Sequence, residues 1–255
     1  MSRLRAKCPD CQTFTAVAMG PDYQCHSCGR EFAAGLVRVP RAWGNGGEDM
    51  AEAARLPLGY PEALVVEEDT LDEQNLSLAA GIPARPLILG GCCCSHIGTV
   101  EGLAARHGRL AIVWLDAHGD LNTPETSPSG NEWGMPLRMI IDGGIVDAED
   151  VALVGARNLD PPEEEYLAES GVHREIAPAL AGVGHVYVAL DVDVLDPSEL
   201  SVWMPEPNGP SAADVEATLL QVAAHAHVVG AGFTGLAPDP ASVPALERFA
   251  AALGL

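Results

Sequence analysis

The chain has 255 residues, 47% of them apolar and 20% charged, and its 36 acidic against 14 basic side chains leave a formal charge of −22. This is the composition of a globular protein rather than a disordered one, and it argues against nucleic acid as a partner, since phosphate binding needs clustered Lys and Arg. No apolar run approaches the ~18 residues of a membrane span and MSRLRAKCPDC lacks the apolar core of a signal peptide, so no membrane partner and a cytoplasmic location are expected.

In chain order, the first chemistry is CPDC, thirteen residues, then CHSCGRE. Two CxxC knuckles bring Cys8, Cys11, Cys25 and Cys28 to a tetrahedron around one structural Zn²⁺ at about 2.3 Å. The alternative is a pair of disulfides, which a reducing cytoplasm disfavours. A ribbon over residues 1–34 has too little core to fold without its metal. His26, inside a knuckle, reads as a solvated turn residue rather than an alternate ligand.

Beyond residue 35 short apolar runs alternate with amphipathic stretches. LVRV (36–39), ALVV (63–66), RPLILGG (85–91), LAIVWLDAH (110–118), VALVGAR (151–157), HVYVALDVDV (185–194) and VVGAGFTG (228–235) read as buried parallel strands. Helical patterns are clearest over 95–107, 161–170, 211–226 and 243–255, and PPEEEYLAE has the proline and acids of a helix N-terminus. Residues 40–60 and 120–135, rich in Gly, Pro, Ser and Asn, read as loops. Residues 35–255 are therefore expected to form a three-layer α/β/α domain with a mostly parallel sheet, its ligand site beyond the carboxyl ends of the strands.

Three strand ends carry the chemistry. LGGCCCSHIG places Cys92, Cys93 and Cys94 after the third run. Neighbouring cysteines rarely pair, because their side chains diverge, so these are ordinary buried thiols or substitutes for something the chemistry needs. LDAHGD offers Asp116, His118 and Asp120, and ALDVDVLDP offers Asp191 and Asp193. Alternation along a strand puts residues i and i+2 on one side, and aspartates just past apolar runs are costly unless a cation meets them. One imidazole and four carboxylates suit Mn²⁺ or a similar first-row ion better than Ca²⁺. The alternative for each motif alone is a capped turn with solvated acids. Four carboxylates balance two divalent ions, whereas a single ion would leave like charges crowded together.

Over residues 36–255 the chain resembles the arginase and agmatinase family of ureohydrolases. DAHGDLNTPETSPSGNEWGMP is similar to the family's DAHxDxN followed by SGNxHG, and ALDVDVLDP to its SxDxDxxDP. The resemblance implies an arginase-like domain over 35–255 with a binuclear Mn²⁺ centre, whose bridging hydroxide attacks the trigonal carbon of a guanidino group. It makes Asp116 and Asp191 the bridges, completes one ion's shell with His118 and Asp193, and puts Asp120 on the other ion, where it could carry a proton to the leaving nitrogen. The remaining family ligand is the His of GGDHS. Cys93 stands at its position and Cys92 at that of the Asp, so the last ligand is either a Cys93 thiolate, favouring Zn²⁺ or Fe²⁺, or His96 three residues on, which keeps Mn²⁺.

Carried over in the same way, Asn122, Ser127 and Ser129 stand where arginases contact an α-carboxylate, and Asp160 and Glu163 near the positions that serve an α-amino group. Ordinary loop and N-cap use is the alternative for all five. At the reacting pole Trp133 replaces the proton-shuttling His of SGNxHG, and Ala237 stands where the resemblance puts a guanidinium-gripping Glu. The expected function is metal-dependent hydrolysis of a C–N bond in a guanidino, amidino or amide compound with an amino-acid pole, arginine itself not being the first expectation. The alternatives are a degenerate family member that binds metal or ligand and acts through its ribbon, and a one-metal deacylase. A small-molecule substrate and a homo-oligomer complete the expectation.

Overall fold

The structure, a computed structural model, describes residues 5–6, 8, 10–11, 13–19, 22–32 and 34–255. The rest of the expected ribbon segment 1–34 lies outside the described residues. Strands β1 (Arg5–Ala6), β2 (Ala16–Met19), β3 (Asp22–Cys25) and β4 (Glu31–Phe32) form an antiparallel sheet in chain order. Its small core holds Cys8, Ala16 and Cys25, and Arg30 ties it to the end of the chain by donating from Nη2 to the Gly254 carbonyl at 2.9 Å.

The remainder alternates strand and helix: β5 (Ala34–Val39), α1 (Glu48–Ala53), β6 (Glu62–Val65), α2 (Leu71–Gly81), β7 (Arg85–Gly90), α3 (Ser95–His107), β8 (Ala111–Leu115), α4 (Pro136–Asp142), β9 (Val151–Val154), α5 (Pro161–Ser170), α6 (Ile176–Ala179), β10 (His185–Asp191), α7 (Ala212–His225), β11 (His227–Thr234) and α8 (Val243–Ala252). The seven strands make one sheet in the order β6-β5-β7-β11-β10-β8-β9, and every pair is parallel. Side chains alternate between two buried faces, which is why the strands read as unbroken apolar runs. Val113, Leu115, Val188 and Leu190 face the α7 and α8 side with Leu219 and Phe249. Ile112, Trp114 and Tyr187 face the α3 and α4 side with Val100, Leu103, Leu137 and Ile140.

The three-layer α/β architecture is thus as expected, with differences at the element ends. β8, β9 and β10 stop earlier than their apolar runs, at Leu115, Val154 and Asp191, because the chain turns there, at Gly155 with φ 90° and through a 3-10 turn over Val192–Val194. The expected loops hold α1 and a 3-10 turn over Glu132–Gly134, and α2, α4 and α6 lack the strong periodicity by which the longer helices are read. Among the described residues no helix is long and apolar enough to cross a membrane.

The approach of α3 to α2 depends on two glycines. A Cβ on Gly98 would collide with the backbone of Asn75, and one on Gly102 would meet the Ala79 carbonyl at 2.7 Å. Gly98→Ala should therefore force the helices apart and cost about 1–3 kcal/mol. Urea unfolding should show a lower midpoint with an unchanged slope, and a midpoint equal to that of the native chain would contradict this packing.

Candidate metal centre

β11 lies between β7 and β10, so the carboxyl ends of β7, β11, β10 and β8 stand side by side. They enter one concave pocket of about 330 Å³. Beyond β8, Asp116 turns inward and its two oxygens accept from His118 N at 2.7 Å and Trp114 Nε1 at 3.1 Å. Asp191, the last residue of β10, accepts from Asp193 N at 3.0 Å, and Asp193 accepts from Ala117 N at 3.0 Å, locking the two strand ends together. Asp120 is aimed by its backbone: its φ of 53° is left-handed, a conformation that non-glycine residues hold only where the surroundings enforce it. The five residues therefore converge through turns beyond the strands, not through the within-strand alternation that their spacing suggested.

Two potential metal-holding groups result, each with its ligand atoms within 4.8 Å of one another: Cys93 with Asp116 and Asp120, and Asp116 with His118 and Asp193. Asp116 belongs to both. Asp191 is in neither group, but it accepts from Cys93 Sγ at 3.1 Å. His118 presents Nδ1 to Asp193 at 3.0 Å and to Asp116 at 3.4 Å. His96 is in neither group. It is fully buried in the first turn of α3, its Nδ1 2.8 Å from the Tyr187 hydroxyl and its ring edge-on to Trp114, and burial pushes it down to about 3. The helix does begin at Ser95, yet it turns the imidazole into the core; Thr234 Oγ1 stands between, 3.5 Å from His96 Nε2 and 3.1 Å from Cys93 Sγ.

The electrostatics are those of a site built around cations. Burial, then the Asp193 charge, raises Asp191 to about 7, and burial, then Asp116, raises Asp193 to about 6. Asp116 and Asp120 are also raised, by burial and by their neighbours. Burial opposes a charge on His118, but Asp116 and Asp193 outweigh it and hold the imidazolium up to about 12. Burial and then Asp191 push the Cys93 thiol well up. Asp120 Oδ2 is buried with no hydrogen-bond partner, a cost that a cation would remove. Carboxylates, an imidazole and a thiol therefore fit first-row divalent ions.

The substrate-side residues all line the same pocket but are partly engaged. Glu163 uses both oxygens, accepting from Leu121 N and Asp160 N at 2.9 Å each, and with Asp160 it forms the capping box of α5. Asn122 donates from Nδ2 to Asp160 at 2.9 Å, and the Ser127 and Ser129 hydroxyls accept from Gly130 N and Asn131 N. Trp133 lines the pocket as well, its ring 5.3 Å from that of Trp203. Ala237 does not line it. Its N donates to the Ser201 carbonyl at 3.1 Å, beside the bridge between Leu236 and Val202. Of the two neighbours of Cys93, Cys92 lines the pocket and accepts from Trp43 N and Cys94 is buried, and all three are free thiols.

Sequence reasoning missed Glu206. Its Oε1 lies 3.5 Å from His118 Nε2 and accepts from Asn158 at 2.9 Å, while Arg157 binds the carbonyls of Asp193 and Glu206 and so fixes this loop to the end of β10. A carboxylate behind an imidazole orients it as a metal ligand, but an acid in a Pro- and Gly-rich loop gives no signal of that role before the chain is folded. Trp203, Met204, Met50 and Asn158 also line the pocket, and they too come from loops and short elements without a motif.

A parallel α/β sheet with two adjoining groups of potential metal ligands at its carboxyl edge has the arrangement of an α/β protein whose site suits divalent ions. Residues 61–253 match the arginase family model. An arginase of Bacillus caldovelox is 32% identical over 230 residues, spanning 74% of each chain. The arginase structure from Bacillus subtilis superposes with a TM-score of 0.75 at 26% identity, covering 87% of this chain and 98% of that one. Formimidoylglutamase from Bacillus subtilis, at 19% identity and a TM-score of 0.70 over 87% and 86% of the two chains, shares the fold. The chain belongs to the arginase family, whose members are ureohydrolase enzymes.

The raised carboxyls have a consequence for the metal-free protein. A group whose folded pKa lies above its unfolded value of about 4 stabilises fully below that value and loses this contribution as pH rises through the folded pKa. For Asp193 and Asp191 the loss runs up to about 6 and about 7. Metal-free protein should therefore melt several degrees lower at about pH 8 than at about pH 5, and Asp191→Asn should flatten the slope. Saturating Mn²⁺ should offset the loss, because ions bind the deprotonated form. An unchanged slope in the Asn variant would show that Asp191 does not carry the effect.

Proposed function

We propose that the chain hydrolyses a C–N bond in a guanidino or amidino compound with an amino-acid pole, using two divalent ions. The observation that carries this reading is the pair of three-ligand groups sharing Asp116 at the carboxyl ends of β8 and β10. Cys93 and Asp120 would hold one ion and His118 and Asp193 the other, with Asp116, which belongs to both groups, and Asp191, beside Cys93, serving the pair. Mn²⁺ is the ion the family resemblance favours, whereas a Cys93 thiolate moves the preference towards Zn²⁺ or Fe²⁺. When bound, the ions supply an activated water and polarise the carbon it attacks.

The chain's own groups do the rest. Water oxygen bonds to the trigonal carbon, the C–N bond breaks, and the leaving nitrogen departs with a proton. Asp120, through the carboxylate oxygen that does not face an ion, takes that proton from the water and returns it to the nitrogen. Glu206, through His118, holds the imidazole in place. Asn122, Ser127 and Ser129 at the outer end, with Asp160 and Glu163 behind them, orient the polar pole, and Trp133 closes the pocket against water. The family's names span arginase and formimidoylglutamase, which supports the reaction class rather than one substrate. The test is a panel of guanidino, amidino and amide compounds assayed for released urea, ammonia or amine; a metal-loaded protein that releases none of these contradicts the proposal.

The four N-terminal cysteines are proposed to hold one structural Zn²⁺ in a ribbon over residues 1–34, with 35–255 as the hydrolase domain. Cys8 and Cys28 lie 3.5 Å apart, as do Cys11 and Cys25, close to the edge of about 3.8 Å of a tetrahedron with arms of about 2.3 Å. Elemental analysis separates the sites. Asp191→Ala should remove both catalytic ions and leave the zinc, while the double change Cys25→Ser and Cys28→Ser should remove one zinc and leave the catalytic pair. Full metal content in either variant contradicts the corresponding assignment.

Cys93 is the favoured last ligand because its Sγ faces the aspartates while His96 faces Tyr187. Cys93→Ser should weaken metal binding by roughly ten-fold or more and shift preference from Zn²⁺ towards Mn²⁺. His96→Ala should destabilise the fold by removing core packing, yet leave metal affinity nearly unchanged. Calorimetric titration of Mn²⁺ and Zn²⁺ into both metal-free variants decides, and the reverse order of effects would assign His96 instead.

A further inference from the structure

We infer that the cationic head of the substrate carries, besides the chain that joins it to the polar pole, a further alkyl group on a terminal guanidinium or amidinium nitrogen, seated in the corner formed by Trp133 and Trp203. The inference rests on the hydrolase reading above and narrows its substrate class. Charge gives the first part. The pocket lining contains the carboxylates of Asp116, Asp120, Asp160, Glu163, Asp191 and Asp193 and no Lys or Arg. Two divalent ions balance only four of these, so the loaded pocket still favours a cation.

The shape of the aromatic wall gives the second part. The Trp133 and Trp203 rings meet at 70° with centroids 5.3 Å apart, and Met50 and Met204 adjoin them in the lining. Both indoles are held in place. Trp133 lies over Gly44 and Gly47, where a Cβ would strike its ring, and its backbone N donates to the Trp43 carbonyl at 3.2 Å. Trp203 N donates to the Gly235 carbonyl at 2.9 Å, and Gly235 is itself packed against the Asp191 carboxylate, so the backbone of Trp203 is anchored beside Asp191 in the same pocket.

An indole offers a π face and one N–H donor but no acceptor, and a thioether accepts only weakly. An unsubstituted guanidinium turned into this corner would leave N–H donors without partners, which is costly in a desolvated site. Replacing those hydrogens with methyl or larger alkyl groups removes the unmet donors, keeps the positive charge for cation–π attraction, and buries apolar surface against the rings and the methionine sulfurs.

Two measurements on the metal-loaded protein test this. Calorimetry with guanidinium, N-methylguanidinium and N,N-dimethylguanidinium as inhibitors or ligands should show affinity rising by roughly ten-fold across the series. Trp203→Ala should abolish the rise, and Trp203→Phe should restore part of it. Turnover of terminally N-alkylated against unsubstituted guanidino acids should follow the same order in kcat/KM. Equal or falling affinity across the series overturns the inference, whether or not any compound is hydrolysed. Rising affinity without hydrolysis of any C–N substrate would instead overturn the hydrolase reading and leave the alkyl corner standing.

Discussion

Four buried aspartates within a few ångströms of one another are the constraint on which this structure turns. Asp116, Asp120, Asp191 and Asp193 are each at most 8% exposed, and like charges at such separations cannot all ionise without compensation. The backbone contributes what it can, giving N–H donors to Asp116, Asp191 and Asp193, but Asp120 Oδ2 receives nothing. The fold tolerates the cluster only because the strands behind it are buried on both faces and rigid. The cost of gathering the charges is met by the core, and divalent ions relieve it.

The sheet order explains why Cys93 can join this cluster while His96 cannot. β11 enters between β7 and β10, and its last residue, Thr234, fills the space under the cluster, with its hydroxyl 3.1 Å from Cys93 Sγ and 3.2 Å from Asp191 Oδ2. Side chains from the end of β7 pass above Thr234 and meet the aspartates. Those from the first turn of α3 pass below it and meet Tyr187 and Trp114. The single threonine layer therefore separates a candidate ligand from a core histidine that is only three residues further on. His96 still matters, because its Nε2 lies 3.5 Å from the Thr234 hydroxyl while the Tyr187 hydroxyl holds its Nδ1.

Most of the fold and the inner half of the site were legible in the sequence, for different reasons. Strands buried on two faces leave continuous apolar runs, and α3 and α5 match their patterned segments residue for residue. Asp116, His118, Asp120, Asp191 and Asp193 stood out because carboxylates after apolar runs are expensive. What stayed hidden was whatever depends on tertiary placement alone. Glu206 and Trp203 lie in a loop whose local composition only says turn, and their role comes from Arg157 fixing that loop to the end of β10. The choice between Cys93 and His96 was undecidable by spacing because both lie within reach, and only the position of Thr234 separates them. Glu163 shows the opposite case: its sequence position fits both a helix cap and a substrate contact, and it serves as a cap while lining the pocket.

The substitution at Cys93 and the aromatic rim are connected through charge. An imidazole at this position would be a neutral ligand, and four carboxylates would balance two divalent ions. A Cys93 thiolate would add one negative charge, which would leave a two-ion centre at −1 and make each ion a weaker Lewis acid. A centre of that kind gains more from a substrate that brings its own positive charge than from a neutral amide. It also gains from walls that exclude water, since the attraction between centre and cation grows as the local dielectric falls. Trp133 and Trp203 supply such walls without adding an acceptor that would compete for the cation. Of the departures from the family's pattern, those at Cys93 and Trp133 thus favour the same kind of substrate.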